Sequence, residues 1–546
     1  LNKMFNEDKI QEKIVKCKTM EEAFNIIKSY PLIGNFMAYQ LVTDINYSEV
    51  VNWREDEFTV AGPGSLRGIK KCFIDKGKMS NEDIIRYMYK HQEEEFKRLG
   101  SEIMNIGLSR VSLHKLIDYP YLTTLYFSQT LVFILLVGGF YGVLGTTGKY
   151  RNCLEKIAKS MKGKESLFLI ITGAVLAILN SVFSLNILLL IFIPALCGII
   201  LLMGYDKITA FLVTFISPLL GVMGSTYGSY ITGYANKVFG TEYNTEIIAR
   251  CALLVIGFVV FIAFTLKHAK KSQIKEAVVE ENAFLGEKKQ SKKSSWPLYT
   301  IFGLLLVLVI LGYTDWENVF NVTVFSDFHT TITKWQVGDH TILAYLIDGL
   351  KQFGSWEVEN YSVLMLISIL LINLIYNIKL EDSLKAFVEG IKNAVKPALL
   401  VMFGYVLLFI AAFHPYLVTI AKFLMDTCGM GLAKLINVSW IGDIINVIFG
   451  GLNTILTSIM NVDYYYTISS TGPYMASLYS ESNNVLQVLS PAFYGLTMFV
   501  APTSTMMILG LEFLNIPYLE WLKKSWKLVL ELLLVVFLVL LVVLFI

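Results

Sequence analysis

Four stretches place hydroxyl and amide side chains beside helix-breaking residues, in surroundings that are otherwise apolar. They are AILNSVFSLNILLLIFIPA, with Asn180, Ser181, Ser184, Asn186 and Pro194, and SPLLGVMGSTYGSYITGYAN, with Pro218, Gly221, Gly224, Ser225, Thr226, Gly228 and Ser229. FGGLNTILTSIM brings Gly450, Gly451, Asn453, Thr454 and Ser458, and LSPAFYGLTMFVAPTSTMMILG brings Pro491, Gly495, Pro502, Thr503 and Ser504. A break in a helix frees backbone N–H groups at one half-helix end, which suit a carboxylate. It frees carbonyls at the other end, which suit Na⁺. The chemistry offered is reversible binding, with Asn180, Ser181, Asn186, Gly224, Ser225, Thr226, Asn453, Thr454, Pro502, Thr503 and Ser504 as candidate substrate or ion ligands.

The elements that must hold these residues are membrane helices. Of 546 residues 55% are hydrophobic and only 16% charged, where a soluble domain keeps roughly a quarter charged; mean hydropathy is +0.56. Blocks such as LVFILLVGGFYGVL, ALLVIGFVVFIAFTL, LYTIFGLLLVLVILGY, VLMLISILLINLIY and LELLLVVFLVLLVVLFI carry almost no charge, and about 20 such residues cross a bilayer. An unsatisfied backbone group in hydrocarbon costs several kcal/mol, so interrupted helix is tolerated only against protein or a wet cavity. A run such as GVMGSTYG also lets helices pack closely. Two matched breaks in each half favour a binding site.

Charge divides the chain. Residues 1–110 are rich in balanced lysine and glutamate and predict a small soluble helical domain, with helices over MEEAFNIIKSY and over SNEDIIRYMYKHQEEEFKRL, the latter capped by Ser80. From Tyr121 on, Lys149, Arg151, Lys156, Lys159, Lys162 and Lys164 crowd one loop, and Lys267, Lys270, Lys271, Lys275, Lys288, Lys289, Lys292 and Lys293 crowd a linker. Lys379, Lys385, Lys392 and Lys396 follow the block at 360–378. The segment 315–345 instead carries Asp315, Glu317, Asp327 and Asp339 against Lys334. Basic loops stay inside, so 315–345 lies outside and the span at 124–145 runs inward. The expected organisation is a soluble domain (1–110), a first half (111–268), a cytoplasmic basic linker (269–295) and a second half (296–546).

Other chemistry finds little support. Cys17, Cys72, Cys153, Cys197, Cys251 and Cys428 are scattered without metal-ligand spacing. No GxSxG, HExxH or Walker-type glycine loop occurs, so neither an enzyme nor an ATP-driven pump is expected, and no cofactor beyond a coupling Na⁺ or H⁺. Asp443, Asp463, Glu512 and His414 lie in or beside apolar stretches, where an ionisable group is a functional candidate. Neighbouring tyrosines and prolines place Asp463, His414 and Glu512 at interfaces.

The runs VGGFYGVLGTTGKYRNCLEKIAKSMKGKE, LLMGYDKITAF, GVMGSTYGS and APTSTMMILGLEFLNIPYLEWLKKSWKL resemble the YfcC-type carriers, which sit with the four-carbon dicarboxylate anaerobic carriers in the ion transporter superfamily. The resemblance covers roughly 110–546. It implies an all-α, multi-pass cell-membrane transporter of two halves with re-entrant hairpins, carrying a basic amino acid or a dicarboxylate. It also implies a bilayer and a homodimer as surroundings. Carried over by position, Gly224, Ser225 and Thr226 form the first hairpin tip and Pro502, Thr503 and Ser504 the second. Relatives carry acidic residues where this chain reads SLNILLL with Asn186, a departure that speaks against a cationic substrate.

The N-terminal part is similar to something else. PLIGNFMAYQLVTDINYS and FTVAGPGSLRGIKKCF resemble the helical domain of 5-hydroxymethyluracil DNA kinase and thymine pyrophosphorylase-like hypermodification proteins. That implies DNA contacts from the Gly62, Gly64, Arg67 turn, with Asp44 or Gln40 near a flipped base. It stands where such carriers have their first span. The charge bias places residues 1–120 outside, whereas DNA is inside. A local failure of the charge rule, a re-entrant 119–145 or a chimera of two reading frames would resolve this, and the chimera resolves it most simply. The leading function is a secondary active transporter of a small carboxylate or amino acid working by alternating access. The alternative is a DNA base-hypermodification or DNA-binding domain with a membrane-embedded remainder.

Overall fold

A computed structural model describes residues 3–31, 33–48, 50–54, 57–73, 76–99, 113–273, 285–286, 293–335, 349–414, 416–425, 439–478 and 483–545. Lys275, Lys288, Lys289, Lys292, Asp339 and Cys428 lie outside these residues. The chain divides into two compact units, Leu1–Ile106 and Gly107–Ile546, and no strand occurs among the described residues.

The first unit contains α1 (Ile10–Val15), α2 (Met20–Lys28), α3 (Asn35–Asn46), α4 (Pro63–Cys72) and α5 (Asn81–Leu99). Apolar residues one turn apart on α1, α2 and α3 close a core of Ile10, Ile14, Met20, Phe24, Ile27, Ala38, Val42 and Trp53. Helix starts follow local rules. Thr19 accepts the Glu22 N–H at the head of α2. Ser80 and Asp83 form the reciprocal pair expected at the head of α5, with Asp83 N–H donating to Ser80 Oγ at 3.1 Å and Ser80 N–H donating to Asp83 Oδ2 at 3.0 Å.

The second unit begins with α6 (Leu113–Tyr126), α7 (Ser128–Thr146), α8 (Tyr150–Ser160), α9 (Glu165–Phe183), α10 (Ile193–Leu202), α11 (Lys207–Phe211), α12 (Ser217–Met223), α13 (Ile231–Phe239) and α14 (Ile247–Ser272). It continues with α15 (Trp296–Tyr313), α16 (Trp316–Phe320), α17 (Val324–Lys334), α18 (Val358–Tyr376), α19 (Leu380–Phe413), α20 (Tyr416–Lys422), α21 (Ser439–Met460), α22 (Tyr464–Leu478), α23 (Asn483–Met498), α24 (Thr505–Phe513) and α25 (Tyr518–Phe545). Among the described residues, eight helices are long and apolar enough to cross a membrane: α7, α9, α14, α15, α18, α19, residues 441–460 of α21, and α25. From Leu532 on, helix α25 is apolar on every side. Leu528, Leu532, Val536 and Leu540 are buried, while Leu530, Leu534, Leu538 and Val542 are exposed on the other face, as lipid-facing residues would be.

Close helix crossings depend on glycine. Gly138 and Gly142 of α7 meet Gly390 of α19 so tightly that a Cβ would collide with backbone. In each half a helix ending in a break packs on a second interrupted helix: α9 on α12, and α21 on α23. The halves meet where α12 packs on α23, α13 on α22 and α14 on α25. Gly495 admits the Met223 backbone at the first of these contacts.

The breaks do not all fall at the glycines and prolines of the four stretches. The glycines of FGGLNTILTSIM lie inside continuous α21, because Gly451 makes room for the Phe493 ring; the interruption follows at 461–463. Pro491 likewise sits within α23; Pro194 occupies the first turn of α10, where proline costs no hydrogen bond, and Pro218 follows the π-helical turn at Leu212–Ile216, which runs directly into α12.

Candidate functional site

In the first half, α9 stops at Ser184 and the chain passes Asn186, both in the left-handed region with φ of 54° and 41°. Such geometry in non-glycine residues is retained only where the surroundings fix it. Asn180 supplies that fixing. Its amide donates to the Pro218 carbonyl at 2.9 Å, and its side-chain oxygen accepts the Asn186 N–H at 2.7 Å. One side chain therefore joins the break after α9 to the head of α12.

The second interruption, 224–230, folds back onto the first. Ser181 Oγ donates to the Gly224 carbonyl at 2.7 Å, and the Ser181 carbonyl accepts the N–H groups of Thr226 and Gly228 at 3.0 and 3.2 Å. Thr226 Oγ1 adds a bond to the same carbonyl at 3.3 Å. Ser225 Oγ pairs with Thr232 Oγ1 at 2.9 Å. Asn180, Ser181, Ser225 and Thr226 are all buried, while Asn186 is half-buried.

The second half repeats the plan. Thr503, in the interruption after α23, donates its hydroxyl to the Ile459 carbonyl at 2.9 Å. That carbonyl lies one residue before the end of α21, much as Ser181 lies two before the end of α9. The other freed carbonyls are met by aromatic donors: Tyr494 OH on Val462 at 2.8 Å, Tyr518 OH on Val500 at 2.6 Å and Trp521 Nε1 on Phe499 at 2.8 Å. Tyr518 and Trp521 belong to the PYxxWLK run, so that motif satisfies the break before it. Thr503 and Ser504 are buried and Pro502 is exposed. Asn453 and Thr454 lie further back on α21, where Thr454 Oγ1 donates to Gly450 O at 3.0 Å. The buried atoms Asn453 Oδ1, Ser458 Oγ and Ser184 Oγ have no hydrogen-bond partner.

Asn180, Ser181, Gly224 and Thr226 thus come together directly, as do Thr503 and the end of α21. Across the halves, Tyr230 donates to Asp463 Oδ2 at 2.5 Å, which puts Asp463 half-buried at a break. Tyr234 and Tyr465 pack beside it at a tilt of 51°, with ring centres 4.7 Å apart. His414 is buried against Tyr119 at 2.7 Å, and Glu512 pairs with Lys396 at 2.7 Å.

Sequence reading missed Arg250, which is 1% exposed. Its position in the first turn of an apolar helix was the available signal. It also missed the partners of the GYDK aspartate. Asp206 caps α11, accepting Thr209 N–H at 3.0 Å and Thr209 Oγ1 at 2.5 Å, and ties that helix to α14 through His268 at 2.9 Å and Ser272 at 3.0 Å. Burial pushes its carboxyl up, but the donors from His268 and Thr209 outweigh that and bring it to about 2.

In the first unit, Gly62 caps α4 without a side-chain bond and lies against Phe36. Gly64, Arg67 and Asp44 are exposed. Arg67 Nε donates to the Pro63 carbonyl at 3.3 Å. Among the described residues no group of His, Cys, Asp and Glu is arranged to hold a metal ion.

Comparison with known proteins finds two families in the chain, whose matches overlap over residues 65–118. Residues 1–118 match the family model of the 5-hmdU DNA kinase helical domain, and residues 65–545 match that of the C4-dicarboxylate anaerobic carrier. The chain is 24% identical over 280 residues to the "Putative basic amino acid antiporter YfcC" of Escherichia coli K12, covering 50% of each. It is 33% identical over 90 residues to the 5-hmdU DNA kinase of Bacillus phage SP10, covering 15% of this chain and 14% of that one. The chain thus spans half or less of the curated relatives it matches. A solved structure, the Alcanivorax borkumensis YdaH transporter, aligns over 79% of this chain and 88% of its own at 13% identity and a TM-score of 0.36. The carrier model takes in most of the chain, with all eight candidate spans inside it, and this multi-pass membrane protein belongs to the C4-dicarboxylate anaerobic carrier family.

Proposed function

We propose that the chain is a secondary transporter that moves a small carboxylate or amino acid by alternating access, without enzymatic chemistry. The observation that carries this reading is the pairing of breaks: Thr226 on the Ser181 carbonyl in one half and Thr503 on the Ile459 carbonyl in the other. Two interrupted elements per half, meeting where the halves pack, is the arrangement in which transporters form a midplane site. The ligands are Asn180, Ser181, Asn186, Gly224, Ser225 and Thr226 from the first half, and Asn453, Thr454, Pro502, Thr503 and Ser504 from the second. Rocking of one half against the other exposes them in turn, driven by Na⁺ or H⁺. Proteoliposome uptake of labelled amino acids and dicarboxylates, with and without sodium and proton gradients, tests the reading. Accumulation of one class is expected. If no compound accumulates above protein-free vesicles, the proposal fails.

For residues 1–106 a second reading rests on the 33% identity to a DNA kinase over 90 residues. In it, Gly62, Gly64 and Arg67 contact DNA phosphate and Asp44 lies near a base. Purified full-length protein should then retard a duplex oligonucleotide, and Arg67→Ala should weaken the retardation. Equal retardation by both proteins removes this reading.

A further inference from the structure

Arg250 lies in the first turn of α14, the end of a helix where the peptide dipoles disfavour positive charge. It is buried, and a buried guanidinium is costly unless its surroundings are strongly compensating. Every hydrogen bond it makes among the described residues is to a neutral oxygen. Nη1 donates to the Ser225 carbonyl at 3.1 Å, the Thr226 carbonyl at 2.7 Å and Thr232 Oγ1 at 3.4 Å. Nη2 donates to the Thr245 carbonyl at 2.7 Å and to the Tyr243 carbonyl. The buried Nε has no partner. Glu246, one turn before it in sequence, adds a longer-range attraction but no hydrogen bond to the cage. A positive charge is thus held in a cage of neutral oxygens between the second break of the first half and the loop before α14.

A cage of carbonyl and hydroxyl oxygens from unwound backbone is also what a transporter offers to a coupling cation. We infer that the Arg250 guanidinium takes the place of a coupling cation at the first-half break, so that this half carries its counter-charge permanently and binds no sodium there. The inference rests on the transport reading for its consequence, but its geometry stands apart from it. A permanent cation saturates the Ser225 and Thr226 carbonyls in both access states. Any ion that drives transport must therefore act through the second half, where Asn453 Oδ1 and Ser458 Oγ are unpartnered and Asp463 supplies a carboxylate.

The test uses purified full-length protein with three side chains at one position. Arg250→Gln removes the charge and vacates part of the cage, and Arg250→Lys keeps a cation there. Sodium, with potassium as control, should raise the melting temperature of Arg250→Gln more than that of the wild type. Arg250→Lys should respond like the wild type. In proteoliposomes containing whichever compound the wild type accumulates, Arg250→Gln should lose roughly tenfold or more of its sodium-free uptake and regain part of it with sodium. Arg250→Lys should keep most of its uptake. Equal sodium responses in all three proteins would overturn the inference, as would a wild type whose own sodium response disappears in both variants. Should Arg250→Gln not fold, Arg250→Met serves as the neutral variant: an extra sodium response in it that Arg250→Lys lacks supports the inference, and a response equal to that of Arg250→Lys overturns it. If the wild type accumulates nothing, the transport reading fails and the melting experiment still decides this point.

Discussion

The phenol of Tyr230, at the second break of the first half, donates to the carboxylate of Asp463, at the first break of the second half. Because one partner comes from each half, any rocking of one against the other must break or carry this bond. Removing one member of such a pair leaves the other undersatisfied, at a cost of about 1–3 kcal/mol. Tyr230→Phe and Asp463→Asn should each slow uptake, and the double variant should cost less than the two single effects summed. A double-mutant cycle on uptake rates measures this. Strict additivity would mean that the bond has no part in the working cycle.

Gly221 has no room for a side chain. An added Cβ would run into the Ala177 carbonyl and lie 2.8 Å from the Ser181 N–H nitrogen, so α9 and α12 would be driven apart where Asn180 and Ser181 join them. Gly221→Ala should destabilise the protein by roughly 1–3 kcal/mol, the cost of overpacking. Gly303, on α15, faces open space, and Gly303→Ala should leave the melting temperature unchanged or raise it slightly. Thermal unfolding of the two variants in the same detergent makes the comparison.

How much of this was legible beforehand varied with the range of the interaction. The Ser80 cap is written within four residues, and the structure has it as expected. The spans follow from composition alone. The break at 224–230 was legible because GSTYGSY places small and hydroxyl residues where helix should continue. The role of Gly450 and Gly451 was not, since the same small-residue signal serves a break or a close contact, and only the position of Phe493 decides between them. The tyrosines around Asp463 point to an interface, and nothing local points to its partner Tyr230, more than two hundred residues away. Tyr518 and Trp521 stand in a run that resembles the carriers, but their purpose depends on carbonyls 18 and 22 residues earlier that have lost their helical partners.

The first unit should depend on Asn46. Its side chain accepts the Trp53 N–H at 2.7 Å and donates to the Trp53 carbonyl at 3.1 Å. It thereby holds Trp53, whose indole N–H reaches the Cys17 carbonyl at 2.9 Å. Asn46→Ala leaves both backbone groups of a core residue without these partners and should cost about 1–3 kcal/mol. Faster hydrogen exchange across 46–60, with protection in α14 and α25 unchanged, is the expected result. Unchanged exchange at 46–60 would show that Trp53 is held by packing alone.

Asp206 gives the protein a pH response of known sign. Its carboxyl lies at about 2 against an ordinary 3.8, so the folded state binds its proton less readily than the unfolded state. The stabilisation is complete above about pH 4 and disappears as pH falls towards about 2. A shift of this size corresponds to about 2 kcal/mol. Asp206→Asn should lower the melting temperature at pH 6 and flatten its decline between about pH 4 and pH 2. A variant whose melting temperature falls as steeply as the wild type over that window would assign the acid sensitivity to other carboxylates.

Thr226 and Thr503 make the same contact in the two halves, a hydroxyl on a carbonyl freed at the end of the preceding helix, but their surroundings differ. The Ser181 carbonyl also accepts two backbone N–H groups, so Thr226→Val leaves it satisfied. The hydroxyl of Thr503 is the donor described for the Ile459 carbonyl, so Thr503→Val removes that bond from a buried break. The two isosteric substitutions should therefore be unequal. Thr503→Val should lower stability by about 1–3 kcal/mol and Thr226→Val by less than about 1 kcal/mol, while Thr503→Ser restores the wild-type value. Melting temperatures of the three variants decide the matter. A larger loss at Thr226 than at Thr503 would mean that its hydroxyl is needed chiefly for the 3.2 Å contact with Ser181 Oγ.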